Sequence, residues 1–148
     1  MLQQNPITKR NIYLADDDED DRLIFEDALS EVDPEASLTK AVHGEALIKL
    51  LSPPDLLVPD VLFLDINMPI KSGFDCLDDI RNHLPHLQHL TVVMFSTCNL
   101  PETIEKSLSM GADFYAVKPA SFFDLKKLIS NVLDGLSDFR SAKRFLIN

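Results

Sequence analysis

The sequence predicts an α/β fold in which helices cover both faces of a parallel sheet. Short apolar runs alternate along the chain with segments whose apolar residues recur at helical spacing, and right-handed crossovers turn such an alternation into a parallel sheet. The run Val61–Leu64 has no polar alternation, which is typical of a central strand buried on both faces. A chain of 148 residues can bury a sizeable core, so we predict one domain over residues 1–148.

The predicted elements follow in strict alternation, with a core at about residues 11–138 and an extension at about 139–148. The strands are Asn11–Ala15, Ser37–Val42, Val61–Leu64, Leu90–Phe95 and Phe114–Val117. The helices are an amphipathic segment ending near Val32, Glu45–Leu51, a segment from Gly73 stopped by Pro85, Pro101–Met110 stopped by Gly111, and a last helix from Phe122 that turns Phe122, Leu125, Ile129, Val132, Leu136 and Phe139 inward. Turn and capping residues separate these segments.

Carboxylates follow two of the predicted strands. Asp65 ends the central strand, and Asp16 and Asp17 open a run of six acids after the first strand. In open α/β sheets ligands bind outside the carboxyl ends of the strands, so these three carboxylates would converge if the two strands are neighbours. The acids at 18–21 begin a helix, and we interpret them as complementing its macrodipole.

The composition excludes several classes of function. The net charge is −10, with no basic stripe, so we expect no binding to a nucleic-acid backbone. No apolar run is long enough to cross a membrane, and residues 1–10 lack the apolar core of a signal peptide, so we expect a cytoplasmic protein. Cys76 and Cys98 lie far apart without CxxC spacing, so both are predicted to be small buried side chains rather than a disulfide or a metal site. His83, His86 and His89 are predicted to be solvated loop residues, since Pro85 breaks any common helical face.

Four motifs together resemble response-regulator receiver domains. The segment Asp65-Ile66-Asn67-Met68-Pro69, followed by Ser72-Gly73, is similar to the phosphoacceptor segment of that family. The other three motifs are Asp16-Asp17 after the first strand, Ser96 after the fourth and Lys118-Pro119 after the fifth. The resemblance implies a flavodoxin-like, doubly wound sheet of five parallel strands in the order 2-1-3-4-5.

The resemblance also implies a role for each acid of the site. Asp65 would accept a phosphoryl group from a sensor histidine kinase or a histidine phosphotransfer protein, forming an acyl phosphate. Asp17 and Asp65 would ligate Mg²⁺ directly, Asn67 would offer its backbone carbonyl, and Asp16 would act through water. A hard cation with oxygen ligands relieves the repulsion among three carboxylates.

Three further residues are assigned by the same resemblance. Lys118 and Ser96 would contact the phosphoryl oxygens as a cation and a hydroxyl donor. Ser96 and Tyr115 would form the switch, because a shift of Ser96 toward the phosphate opens space for the Tyr115 ring. The family implies self-catalysed phosphoacceptance and slow autodephosphorylation, without other enzymatic activity.

Two enzyme or cofactor classes fit the residues less well. A haloacid-dehalogenase-like phosphatase needs an acid two residues after its nucleophile, where this chain has Asn67. A flavodoxin-like FMN protein needs a phosphate-binding loop after the first strand, where this chain has acids. One alternative stays open, a receiver-fold adaptor that binds its partner independently of phosphorylation. We expect a stand-alone regulator that acts through protein contacts.

The segment after residue 138 is basic and partly apolar, on an otherwise acidic chain. It includes Phe139, Phe145 and three of the 14 basic residues. It is expected either to fray or pack on its own domain, or to extend the face formed by the fourth helix, fifth strand and fifth helix. From the second possibility we predict a weak homodimer through that face, strengthened by phosphorylation and involving Phe139 or Phe145.

Overall fold

The computed structural model describes residues 9–136 and 145–147, the last three by their backbone alone. The strands are β1 (Asn11–Ala15), β2 (Ser37–Ala41), β3 (Val61–Leu64), β4 (Val92–Ser96), β5 (Phe114–Val117) and β6 (Phe145–Ile147). The helices are α1 (Glu19–Val32), α2 (Gly44–Leu51), α3 (Gly73–Asp78), α4 (Pro101–Ser109) and α5 (Phe122–Gly135). A π-helical turn, Asp79–His83, continues α3, and a 3-10 turn, Pro85–Leu87, follows it.

The sheet confirms the predicted fold and adds one strand to it. Its order is β2-β1-β3-β4-β5-β6, and all the pairs are parallel. The first five strands have the predicted order 2-1-3-4-5. The sequence did not predict β6, which pairs with the outer edge of β5 in the register Tyr115↔Leu146. Phe139, which was predicted to turn inward from the last helix, lies outside the described residues.

The central strand divides its side chains between two apolar layers. Leu62 and Leu64 pack in the layer that includes Leu47 of α2 and Leu77 of α3. Val61 and Phe63 pack in the layer of α1 and α5, and the Phe63 ring meets the Phe25 ring edge-on at a centroid distance of 4.9 Å. Every side chain of β3 is therefore buried, which explains its unbroken apolar run.

Some predictions at the helix ends need correction. Phe122 was predicted to face inward, but 39% of it is exposed. It is the first residue of α5, and the Lys126 ammonium lies 5.1 Å from the centre of its ring. His86 contacts the Leu51 carbonyl oxygen through Nε2 at 2.7 Å, so it is more than a solvated loop residue. Gly111 has φ +110°, as expected of a helix stop.

Among the described residues, no helix is long and apolar enough to cross a membrane. Cys76 and Cys98 form no disulfide, as predicted, but Cys98 is partly exposed where a buried side chain was predicted. Cys76 is buried, and burial is the main reason that its pKa is raised to about 12. Its thiol lies 3.6 Å from the Gly44 carbonyl oxygen, so it is a structural residue between α2 and α3.

Candidate functional site

Backbone hydrogen bonds hold the predicted site residues at one edge of the sheet. The Asp16 N–H donates to the Ala41 carbonyl of β2, and the Asp65 N–H donates to the Ala15 carbonyl of β1, at 3.1 and 3.0 Å. The Lys118 N–H donates to the carbonyl of Ser96 at 2.8 Å. The ladders thus continue one residue past the strands, so the sheet itself fixes where these three side chains begin.

The structure brings the three predicted acids together. Asp16, Asp17 and Asp65 each offer a carboxylate oxygen, and these oxygens all lie within 4.8 Å of one another. Asp16 and Asp65 are buried, whereas Asp17 is exposed. Three oxygen donors at this spacing, two of them shielded from water, suit a hard divalent cation.

The Lys118 ammonium lies among carboxylates. Its Nζ is 2.8 Å from Oδ2 of Asp16, 3.0 Å from Oδ2 of Asp21 and 3.4 Å from Oδ2 of Asp65. Only 12% of the Lys118 side chain is exposed. The buried positive charge is therefore neutralised by three partners, and its separation from Asp65 is the longest of the three.

The environment of Asp65 favours its protonated form. Burial raises the pKa of Asp65 from 3.8 to about 6, although the charge of Lys118 acts in the opposite direction. The Asp16 carboxylate adds to the increase, and the Asn67 backbone N–H reduces it through a hydrogen bond. Burial lowers the pKa of Lys118, but the hydrogen bond with Asp16 and the charge of Asp65 outweigh it and raise this pKa above its ordinary value. Lys118 is therefore charged at neutral pH.

Ser96 and Tyr115 both form hydrogen bonds with Cys98, in the loop after β4. The Cys98 N–H donates to Ser96 Oγ at 3.2 Å, and the Tyr115 hydroxyl donates to the Cys98 carbonyl at 2.6 Å. Both side chains are buried. Burial is the main reason that the pKa of Tyr115 is raised. Cys98 therefore connects the two side chains, because its N–H bonds to one and its carbonyl to the other.

Asn67 and Gly73 shape the loop after β3. Asn67 is exposed, and its N–H bonds to Asp65. The Gly73 N–H donates to the Ile66 carbonyl at 2.8 Å. A Cβ on Gly73 would lie 2.2 Å from the Asp65 carbonyl oxygen, so only glycine lets α3 begin this close to the acid.

Asp21 belongs to the site, although its position in the sequence did not predict this. The acids at 18–21 were interpreted as complementing the α1 dipole, and Asp21 does lie in the first turn of that helix. Its carboxylate also pairs with Lys118, a residue 97 positions later. The only sequence signal for this contact is that Asp21 closely follows the Asp16-Asp17 pair, in the first turn of the helix after the first strand.

Comparisons with known proteins agree with this architecture. The model of the response regulator receiver domain family matches residues 12–130. The two-component response regulator ORR12 of Oryza sativa subsp. japonica is 31% identical over 122 residues, which are 82% of this chain and 97% of the relative. Among solved structures, the phosphorylated cyanobacterial phytochrome response regulator RcpA gives a TM-score of 0.78 at 23% identity, covering 90% of this chain and 98% of its own.

A second solved structure, the Mn²⁺-bound form of response regulator Rcp1, gives a TM-score of 0.73 at 21% identity and covers 90% of this chain and 97% of its own. At these identities the two structures show the fold. The fold is of the flavodoxin-like class, with an acidic cluster at the carboxyl edge of its sheet. This chain belongs to the response-regulator receiver domain family of two-component signalling.

Proposed function

We propose that this receiver accepts a phosphoryl group on Asp65 from a sensor histidine kinase or a histidine phosphotransfer protein, and that phosphorylation switches a protein-binding surface. One observation carries the proposal: the buried Asp65 carboxylate lies at the end of the central strand, between two further acids and the Lys118 ammonium. A nucleophile, a cation site and a fixed positive charge are the groups that phosphoryl transfer requires.

The acids are proposed to hold Mg²⁺. Asp17 and Asp65 would be direct ligands, Asn67 would add its backbone carbonyl, and Asp16 would act through water. The spacing of the three carboxylates, within 4.8 Å, supports this set, and receiver domains bind Mg²⁺ or Mn²⁺ in an acidic pocket of this kind. When bound, the cation supplies positive charge to the oxygens of the transferred group.

In the proposed transfer, a carboxylate oxygen of Asp65 attacks phosphorus while the P–N bond of the donor phosphohistidine breaks. The imidazole keeps the electron pair of that bond and takes up a proton. Lys118 and the Ser96 hydroxyl would face the phosphoryl oxygens, where negative charge concentrates. Lys118 is already within 3.4 Å of Asp65, so a small movement would bring it to the phosphate.

The switch is proposed to act through the loop after β4. When the Ser96 hydroxyl turns to the phosphate, the Cys98 N–H loses its acceptor, and the same residue holds the Tyr115 hydroxyl through its carbonyl. The Tyr115 ring would then change position beside α4. A local electrostatic change would thus alter the α4-β5-α5 face.

The partners and the form of the protein are parts of the same proposal. A stand-alone regulator is supported by the match to ORR12, which extends over 97% of that protein. We also propose the weak, phosphorylation-strengthened homodimer through α4, β5 and α5, without binding to nucleic acid. Of the two tail residues predicted to take part, Phe139 lies outside the described residues, and Phe145 begins β6.

The acceptor is tested by incubating the protein with acetyl phosphate and Mg²⁺ and measuring its intact mass. The wild type should gain one phosphoryl group, and Asp65→Ala should gain none. Asp55→Asn changes an exposed acid away from the site and should behave like the wild type. Phosphorylation of Asp65→Ala at the wild-type rate would refute the assignment.

The ligand set and the switch need separate measurements. Asp17→Ala should weaken Mg²⁺ binding in calorimetry, because it removes a direct ligand. Lys118→Ala should take phosphate slowly and fail to change its affinity for a partner. Partner binding that is equal with and without phosphate in the wild type would favour the phosphorylation-independent adaptor instead.

A further inference from the structure

Asp21 is a fourth acid at the site and lies on a different kind of element from the other three. Asp16, Asp17 and Asp65 follow strands, whereas Asp21 belongs to the first turn of α1. Its Oδ2 lies 3.0 Å from the Lys118 ammonium, nearer than the Oδ2 of Asp65 at 3.4 Å. Lys118 is therefore bound more closely by Asp16 and Asp21 than by the proposed acceptor.

The start of α1 leaves the Asp21 carboxylate available for this contact. In a complete capping box the third helical residue accepts the N–H of the cap, as Asp75 does with Ser72 at the start of α3. In α1 the cap is Asp18, and its N–H donates to Oδ1 of Asp16 instead, at 2.9 Å. Only the backbone N–H of Asp21 serves the cap, and its carboxylate reaches Lys118.

We propose that Asp21 is a positioning residue that holds Lys118 away from a full ion pair with Asp65. This inference rests on the proposed function and adds a residue that sets the position of Lys118 in the same site. Without the Asp21 charge, Lys118 would move toward Asp65, because Asp16 and Asp65 would be its remaining partners among the described carboxylates. Lys118 would then compete with Mg²⁺ for the acceptor oxygens.

The exposure of the pair fits this role. The side chain of Asp21 is 42% exposed, against 1% for Asp16. An exposed carboxylate binds a cation more weakly than a buried one, since water screens it. Asp21 is therefore the partner that Lys118 can leave when a phosphoryl group arrives, while Asp16 stays in place.

The test measures Mg²⁺ affinity by calorimetry at fixed ionic strength. Asp21→Asn keeps the size of the side chain and removes its charge, and it should weaken Mg²⁺ binding about two- to fivefold, the range expected for a partly exposed ion pair. Asp20→Asn removes the same charge from an exposed acid in the same turn and should have a clearly smaller effect. Asp21→Glu should restore most of the affinity.

The decisive comparison repeats the measurement in a Lys118→Ala background. If Asp21 acts through Lys118, Asp21→Asn should weaken binding there no more than Asp20→Asn does. Equal weakening by Asp21→Asn in both backgrounds would overturn the inference, because the effect would then come from the general field of the acids.

Failure of the proposed function gives a different result. If the wild type neither binds Mg²⁺ nor accepts phosphate, the function proposed above is wrong. The contact between Asp21 and Lys118 is then tested by urea unfolding of four proteins: the wild type, Asp21→Asn, Lys118→Ala and the double variant. Destabilisation by Asp21→Asn should be larger with Lys118 present than in Lys118→Ala, where only the interaction with the α1 dipole is lost; equal destabilisation in both backgrounds would refute the contact.

Discussion

Asp65 is ionised at neutral pH in surroundings that favour its protonated form. Burial raises its pKa from 3.8 to about 6, so the folded chain binds its proton more tightly than the unfolded chain does. The ionised carboxylate therefore costs the metal-free fold about 1–3 kcal/mol above the folded pKa. This cost falls as the pH drops through that pKa and vanishes below the unfolded value, because Asp65 is then protonated in both states.

Asp65→Asn should consequently stabilise the metal-free protein. We expect the free energy of unfolding to rise by about 1–2 kcal/mol at about pH 7.5 and the gain to approach zero only below the unfolded pKa, at about pH 3. Urea unfolding in the presence of a chelator measures both values. Asp55→Asn, at an exposed acid, should give no such gain, and a gain for Asp65→Asn that is as large at acid pH as at neutral pH would contradict the explanation.

Ile70 is a second residue held at a cost. It has φ 69°, and 92% of it is exposed. The Lys71 N–H donates to the Pro69 carbonyl at 2.7 Å, which closes a three-residue turn around Ile70 in its strained, positive-φ form. A β-branched side chain in this region is an outlier, because its Cβ crowds the backbone.

Ile70→Gly should relieve that strain. The relief of about 1–3 kcal/mol exceeds the extra entropy of glycine in the unfolded chain, about 0.5–1 kcal/mol, so a net gain of roughly 1 kcal/mol is expected in urea unfolding. Ile70→Val keeps the branched Cβ and should leave the stability nearly unchanged. A loss of stability in Ile70→Gly would show that the turn stores no strain.

At the scale of elements, the start of α3 is fixed by its contact with the acceptor loop. Since a Cβ at position 73 would lie 2.2 Å from the Asp65 carbonyl oxygen, Gly73→Ala must displace either α3 or Asp65. We expect a loss of about 1–3 kcal/mol in stability together with weaker Mg²⁺ binding.

Gly111→Ala is the matched control for that prediction. Gly111 has φ +110°, so alanine should also destabilise the protein there, by a similar amount. It ends α4 at the amino-terminal side of β5, away from the site, and Mg²⁺ affinity should not change in calorimetry. If both variants lose the same Mg²⁺ affinity, the close approach of Gly73 has no special importance for the site.

The elements that could be predicted from the sequence are those whose environment is uniform along their length. β3 and β5 have the predicted bounds because apolar runs of that length can only be buried strands here. β4 was predicted as Leu90–Phe95 and is Val92–Ser96, since Leu90 is just as buried although it precedes the strand. The π-helical turn at Asp79–His83 has no signal in the pattern, because it continues the same buried stripe through Ile80.

The convergence of Asp16, Asp17 and Asp65 could be foreseen once the family resemblance supplied the strand order, which makes the first and third strands neighbours. Parallel neighbouring strands end at one edge, so residues just after them meet there whatever their rotamers. The pairing of Lys118 with Asp21 depends on how a helix is rotated and how its cap is satisfied. The pairing depends on the hydrogen bond from the Asp18 N–H to Asp16, and the spacing of residues in the sequence does not predict that bond.

At the scale of the whole molecule, the described sheet has two different edges. β2 lies at one edge and is polar there, with Lys40 paired to Glu26 of α1 at 3.0 Å. Charged side chains on an edge strand discourage pairing with another molecule. β5 is Phe114-Tyr115-Ala116-Val117 and has no such protection, but β6 occupies its outer edge.

Removal of β6 should therefore make the protein associate with itself. A truncation ending at Asp138 leaves the backbone N–H and C=O groups of an apolar β5 edge unpaired, and such an edge pairs readily with a second copy. We expect the truncated protein to sediment as a dimer or larger species both with and without a phosphate mimic. The full chain should instead dimerise weakly, and its dimer should become stronger when the mimic is bound. Leu146→Pro, which disrupts β6 within the full chain, should behave like the truncation. Weaker association of the truncated protein would show instead that the tail itself supplies the dimer contact, and monomers under all conditions would remove both the edge explanation and the dimer.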